Sequence, residues 1–169
     1  MKVKLVKPAP EMEREYFSFA QDWEQSHEEI TPYSARLLDR NYAQWLEETI
    51  RQETTVPDNL VPAHTYFLTG ENGVILGAIN IRHRLNESLL RSGGHIGYGI
   101  RPSERRKGYA EKMLALALPL AKKLGISKAL VTCDKQNTGS AKTILHNGGI
   151  MENEISDGGR ITQRYWIQL

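Results

Sequence analysis

The chain carries a single cysteine, Cys133, among its 169 residues. No internal disulfide can staple the fold, so stability must come from a buried core, an arrangement suited to a reducing compartment. Long apolar runs are missing as well, and none approaches the roughly 20 residues needed to cross a bilayer. Met1 to Pro10 lack the apolar segment of a secretory leader, so a soluble, cytoplasmic protein with no membrane partner is expected. Charge of one sign is not in excess: 22 Lys plus Arg stand against 20 Asp plus Glu, a net of +2. That balance argues against nucleic acid as a partner, and any cationic site must be local. The five histidines, at 27, 64, 83, 95 and 146, show no metal-ligand spacing with one another or with Cys133, so no metal is expected. Repeats, low-complexity tracts and linkers are absent too, which points to one domain over residues 1–169.

What is present is periodic. Lys2 to Lys7 alternate charged and apolar residues, the pattern of a short strand ended by Pro8 and Pro10. Met12, Tyr16, Phe19 and Trp23 recur at helical spacing, and Leu38, Tyr42, Trp45, Leu46 and Ile50 form a second stripe, with Thr31 or Ser34 as its N-cap. These aromatics read as core. His64 to Thr69 and Val74 to Arg82 read as strands joined by a Gly70–Gly73 turn, with Val74, Leu76, Ala78 and Asn80 on one face and Ile75, Gly77, Ile79 and Ile81 on the other. A short helix near Asn86–Arg91 precedes a strand over His95–Ile100. Further on, Ala110, Met113, Leu114, Ala117, Ala121 and Leu124 share a helix face. Ala129–Val131 is a short buried strand, Asn137–His146 a short helix, and Ile150–Gln168 a hairpin turning at Asp157-Gly158-Gly159. Strand–helix–strand order beside hairpins implies an α/β (α+β) fold around a mixed sheet, with at least one crossover between parallel strands.

Ile100 to Ala121, IRPSERRKGYAEKMLALALPLA, organises the rest. A strand end runs through a Pro-marked turn and the cationic Arg105-Arg106-Lys107-Gly108 segment into an amphipathic helix. The first N–H groups of a helix lack intrahelical acceptors and carry the positive end of its dipole, so such a start favours phosphate oxygens. Gly108 lets backbone approach a pyrophosphate, and small Ala110 leaves the helix start uncrowded. No Walker loop is present, and Gly94-His95-Ile96-Gly97-Tyr98-Gly99 lies in a strand, where the dinucleotide fingerprint has no physical basis.

Arg105-x-x-Gly108-x-Ala110 on a strand-to-helix turn resembles the Q/R-x-x-G-x-G/A acyl-CoA signature of the GNAT N-acetyltransferases, and Asn137-x-x-Ser140 resembles that family's second segment. The resemblance covers about Thr65 to Leu169. It implies a single domain with a mostly antiparallel mixed sheet, a splay between two parallel strands, and helices on both faces. It implies acetyl-CoA as co-substrate and direct acetyl transfer to a small-molecule or peptide amine, by a monomer or homodimer. Cofactor contacts would fall on Tyr98, Gly99, Ile100, Arg105, Arg106, Lys107, Gly108, Tyr109, Ala110, Asn137 and Ser140. Gly97 and Gly99 would serve close approach on the strand.

Two family positions depart from the pattern: Ile144 stands where many members carry a Tyr acid, and Thr132 where some carry a Glu. By the same resemblance, Ser140 is the expected substitute acid toward the leaving sulfur. His95, with His83 behind it, is the candidate base, because imidazole titrates near neutral pH. Cys133 closes an apolar run and reads as core. The same departures motivate an alternative, an acyl-CoA-binding or regulatory module without catalysis. Nucleic-acid binding through Arg101, Arg105, Arg106 and Lys107 is a weaker third reading, lacking interleaved aromatics.

Overall fold

The first aromatic stripe forms a helix, α1 (Glu13–Gln25), in the computed structural model, which describes residues 1–169. Tyr16, Phe19 and Trp23 are its buried face, and Tyr42, Trp45 and Leu46 are buried on α2 (Tyr42–Arg51). Both helices cover one face of a four-stranded antiparallel sheet, ordered β1 (Lys4–Val6), β2 (Ala63–Thr69), β3 (Ile75–Arg82) and β4 (Ile96–Ile100). Phe67 of β2 closes the aromatic cluster, its ring 5.9 Å from Trp45 and 6.1 Å from Tyr16. The opposite face carries Leu68, Leu76, Ile79 and Ile81 against α4 (Tyr109–Lys123), whose Met113, Leu114, Ala117 and Ala121 are buried. Pro119 sits within α4 and does not end it.

The second helix does not begin near Thr31 or Ser34: Thr31 precedes a 3-10 turn, Tyr33–Ala35, Ser34 lies within it, and α2 starts after Asn41. Asn41 and Gln44 form a reciprocal capping box there, which satisfies two helix-start donors and outcompetes the earlier candidates. Leu38 and Ile50 consequently lie off the core face, both largely exposed. The face assignment of β3 also changes partway along. Leu68 pairs with Gly77 but Thr69 pairs with Ile75, so Leu76 is an extra, bulged residue. The alternation slips by one at that point. Ile75 and Ala78 therefore face α1 and α2, while Leu76, Ile79 and Ile81 face α4.

The rest of the chain builds a second antiparallel sheet, ordered β5 (Lys128–Asp134), β7 (Arg160–Gln168) and β6 (Ile150–Asp157). A short helix, α3 (Glu87–Arg91), lies in the β3–β4 connection, and α5 (Thr138–His146) links β5 to β6. The hairpin turns at Gly158-Gly159, both at positive φ, the conformation of a two-residue type I′ loop. The mixed sheet is thus two antiparallel sheets meeting where β4 lies beside β5. These two strands run the same way, because the C-terminal ends of both open on one cleft lined by Tyr98–Ile100 and Gln136–Ser140.

They touch only where β4 begins. The His95 N–H donates to the Leu130 carbonyl at 2.7 Å, and the Leu130 N–H donates to Nδ1 of the His95 ring at 2.9 Å. An imidazole thus occupies the place of the next backbone acceptor, and beyond it the strands part. His95 is 7% exposed and does not line the cleft, so the structure removes it from the position of a base. Burial, with the neighbouring Arg82 charge, holds its pKa below the usual histidine range. His83 does not reach the cleft either: its Nε2 lies 2.7 Å from Nδ1 of His64 at the far end of β3.

Phe67→Ala should cost about 3–5 kcal/mol, the range for deleting a buried aromatic ring, as measured by urea denaturation. A loss below about 1 kcal/mol would mean that the aromatic layer is not the core described. The second expectation concerns pH. The folded chain holds His95 neutral, while the unfolded chain protonates it near 6.5, so its contribution is present above that pH and is lost as pH falls toward the lower folded-state value. His64 and His83, lowered mainly by burial, act in the same direction. His95→Gln, which keeps an acceptor for the Leu130 N–H, should reduce the loss of stability below about pH 6.5 in denaturant titrations. An unchanged slope there would exclude His95 from that loss.

Candidate active site

The cleft begins at the turn between β4 and α4. Arg106 and Gly108 have φ of 64° and 78°, and Gly108 is the residue immediately before the helix. Successive residues bent in this way aim backbone N–H groups into one concavity. The N–H groups of Arg106 through Glu111 donate to no acceptor in the chain; bonding resumes at Lys112, to the Gly108 carbonyl. Six consecutive free donors at the positive end of a helix form an anion cradle. A Cβ on Gly108 would meet nothing within 4 Å, so it is the positive φ, and not a packing clash, that favours glycine there.

From the cradle the cleft runs along the free edge of β4, with a volume near 580 Å³. The bonds Arg82 N–H to His95 C=O and Arg101 N–H to Leu76 C=O bracket the β3–β4 ladder. Antiparallel alternation then turns the polar groups of Tyr98 and Ile100 away from β3, toward the cleft. Gly99 is constrained from the other side. A Cβ there would collide with the Thr31 carbonyl, and one on Gly97 would come within 3.0 Å of the Arg82 guanidinium.

Across the cleft stands α5. Asn137 caps it, its Oδ1 accepting the Ser140 N–H at 3.0 Å, while its Nδ2 makes no bond within the chain. Ser140 Oγ lies 2.7 Å from the Tyr98 hydroxyl, so the two hydroxyls bridge the splay. Burial pushes the Tyr98 phenol up to about 12, and it stays protonated at neutral pH. Cys133 is buried beside them, its thiol pushed up to about 11 by burial and then by the Asp134 charge, which leaves little thiolate. Ile144 is fully buried in the core, and the Thr132 Oγ1 accepts the Gly93 N–H at 3.0 Å. Neither supplies a titrating group.

Of the expected cofactor contacts, Tyr98, Gly99, Ile100, Arg105, Arg106, Gly108, Tyr109, Ala110, Asn137 and Ser140 all line this cleft. Lys107 does not; its Nζ is held 3.0 Å from Glu104. Unexpected members include Trp23, Glu28 and Thr31, from α1 and the segment after it, and Lys142 and His146 on α5. No local pattern marks the first three, which lie far from the motif in sequence and meet it only because α1 packs beside the turn. No three His, Cys, Asp or Glu side chains are grouped to hold a metal ion, and no helix is long and apolar enough to cross a membrane.

Solved structures share this fold over nearly the whole chain. The microcin C7 self-immunity acetyltransferase MccE, in complex with acetyl-CoA and AMP, superposes with a TM-score of 0.70 at 15% identity, covering 99% of this chain and 93% of that one. A chimera of spermidine N-acetyltransferase SpeG from Vibrio cholerae and hSSAT gives 0.65 at 16%, covering 99% and 96%. The GNAT domain of S. lividans PAT gives 0.61 at 14%, covering 99% and 89%. No curated protein matches the sequence. The acetyltransferase (GNAT) domain family matches residues 2–150, so it takes in the N-terminal helices as well as the motif. With that match over most of its length, the chain belongs to the GNAT acetyltransferase family.

Proposed function

We propose that this protein is an acetyl-CoA-dependent N-acetyltransferase that moves an acetyl group directly to an amine carried by a small molecule or peptide. The observation that carries the reading is the row of six unbonded N–H groups from Arg106 to Glu111, opening on a cleft that continues along the free edge of β4. The cradle fits a pyrophosphate, and the outward polar groups of Tyr98 and Ile100 fit the amides of an extended pantetheine arm. The acetyl-CoA complex among the structural neighbours supports this assignment. Bound acetyl-CoA would supply an activated acyl group as a thioester.

The chain's own tasks are then orientation and proton placement. Helix α5 sets Ser140 at the splay beside Tyr98, and its hydroxyl is the group we assign to pass a proton to the leaving sulfur. Forming the amide breaks the carbon–sulfur bond: the sulfur leaves with the electron pair and takes a proton through Ser140 Oγ, which regains one from solvent in the same exchange, and the amine gives up one proton to solvent, so the serine ends the cycle as a neutral hydroxyl. Holding the reacting groups in line supplies most of the acceleration expected of a site without a strongly titrating base. A second reading, an acyl-CoA-binding module without turnover, is favoured by the buried Ile144 and the engaged Thr132. Acetyl-CoA consumption against a panel of amines separates the two, since binding without turnover supports the module.

Gly108→Asp should abolish CoA binding in calorimetry while the thermal transition persists, because a carboxylate would face the phosphates from the cradle. Retained affinity would remove the cofactor assignment. Ser140→Ala should lower kcat about tenfold to a hundredfold with little change in CoA affinity, as expected for loss of a proton donor. Wild-type turnover in that variant would refute the role given to Ser140.

A further inference from the structure

Arg105 is the first residue of the acyl-CoA motif, yet its guanidinium is committed elsewhere. Its two terminal nitrogens donate to the two oxygens of Glu28, at 2.9 and 2.8 Å, the fork-to-fork geometry that arginine forms with carboxylates. Its Nε donates to the Ile100 carbonyl at 3.1 Å, and the group lies 5.0 Å from the centre of the Trp23 ring. The hydrogen bond from Arg105 also holds the Glu28 carboxyl below the usual range, so Glu28 is a carboxylate at neutral pH. Arg106, next in sequence, makes no such bond and faces the cleft.

The partner segment is itself a wall of the site. Trp23, Glu28 and Thr31 line the cleft opposite α5, and the Thr31 carbonyl occupies the space above Gly99. A parallel set of bonds lies one turn back along α1, where Asp22 accepts from Arg101 Nε at 3.0 Å and from the Ser103 N–H and hydroxyl at 3.1 and 2.7 Å. Helix α1 and the segment after it are thus tied to the cofactor turn at two points. The Arg105 pair is the one nearer the cleft.

We propose that Arg105 is a positioning residue, not a phosphate ligand: with Glu28 it forms a latch that holds the 26–33 segment against the end of β4 and so shapes the pantetheine part of the cleft. The inference rests on the acyl-CoA reading above and adds Glu28, which no motif marks, as a determinant of cofactor affinity. A phosphate-ligand role and a latch role predict opposite effects of removing Glu28. If Glu28 only neutralised a phosphate ligand, its loss would free Arg105 and tighten binding. If the two form a latch, its loss must weaken binding as much as the loss of Arg105.

The test is a double-mutant cycle on Glu28→Ala and Arg105→Ala, with binding of CoA, S-acetylpantetheine and 3′,5′-ADP measured by calorimetry. The latch predicts that each single variant weakens CoA and S-acetylpantetheine by roughly three- to tenfold, a size suited to a half-exposed bidentate pair. The double variant should be no weaker than either single one, and 3′,5′-ADP, which carries phosphates but no pantetheine, should bind as to wild type. The swapped pair Glu28→Arg with Arg105→Glu should recover at least part of the loss, which separates a latch from general unfolding. Tighter CoA binding in Glu28→Ala, or a loss of 3′,5′-ADP affinity confined to Arg105→Ala, overturns the latch and leaves the acyl-CoA reading intact. Failure of the wild-type chain to bind CoA overturns both.

Discussion

The parting of β4 from β5 is the constraint on which the site depends. Two strands running side by side in one direction would ordinarily continue their ladder, because an unpaired polar edge inside a sheet is costly. Here the ladder stops at Leu130, whose N–H is taken by the His95 imidazole. Close packing at Gly94, where a Cβ would collide with the Leu130 carbonyl, brings the chain in tightly at that one point. Beyond it the free edge of β4 is open, and the cleft between β4 and α5 follows from geometry alone. His95 thus shapes the cleft from outside it, by ending a ladder.

Once the edge is open, the charges around it are arranged with economy. Arg101 is bonded to Asp22, Arg105 to Glu28 and Lys107 to Glu104, so three of the four cations at the turn already have carboxylate partners. Partly exposed pairs of this kind add little stability individually, but they fix where side chains point. The attraction for an anion is left to the backbone donors of Arg106–Glu111 and to Arg106 itself. A chain with a net charge of only +2 can thus present a local field that attracts anions: the field comes from oriented N–H groups, which do not enter a count of charged residues.

How much of this was legible in the sequence depended on the range of the interaction. Strand, cationic turn and amphipathic helix around Gly108 are contiguous, so local pattern revealed the cradle, and the aromatic stripe of α1 emerged from its spacing. The face change in β3 did not, since a bulge at Leu76 is decided by the register against β2. The start of α2 was misplaced because Thr31 and Ser34 are good caps in isolation, and only the Asn41–Gln44 reciprocity selects among them. Glu28 was invisible for a simpler reason: it meets Arg105 across a packing interface formed by α1. His95 looked like a base because a histidine on a strand beside a motif carries no mark of whether its ring faces a cleft or a core.

The hydroxyl pair at the splay bears on what the reaction can demand of this chain. Ile144 fills the core beneath α5, and a phenol reaches that helix from β4, as Tyr98 beside Ser140. A phenol held near 12 by burial cannot end a catalytic step as tyrosinate at neutral pH, so its use lies in its fixed protonation. When Tyr98 donates to Ser140 Oγ, the serine hydrogen is freed to point into the cleft, the orientation that the proposed proton transfer would use. A carboxylate in place of Tyr98 could accept the serine hydrogen and turn it away from the sulfur. The site therefore favours a neutral donor at this place, and its lack of a strongly titrating acid is consistent with chemistry governed by orientation.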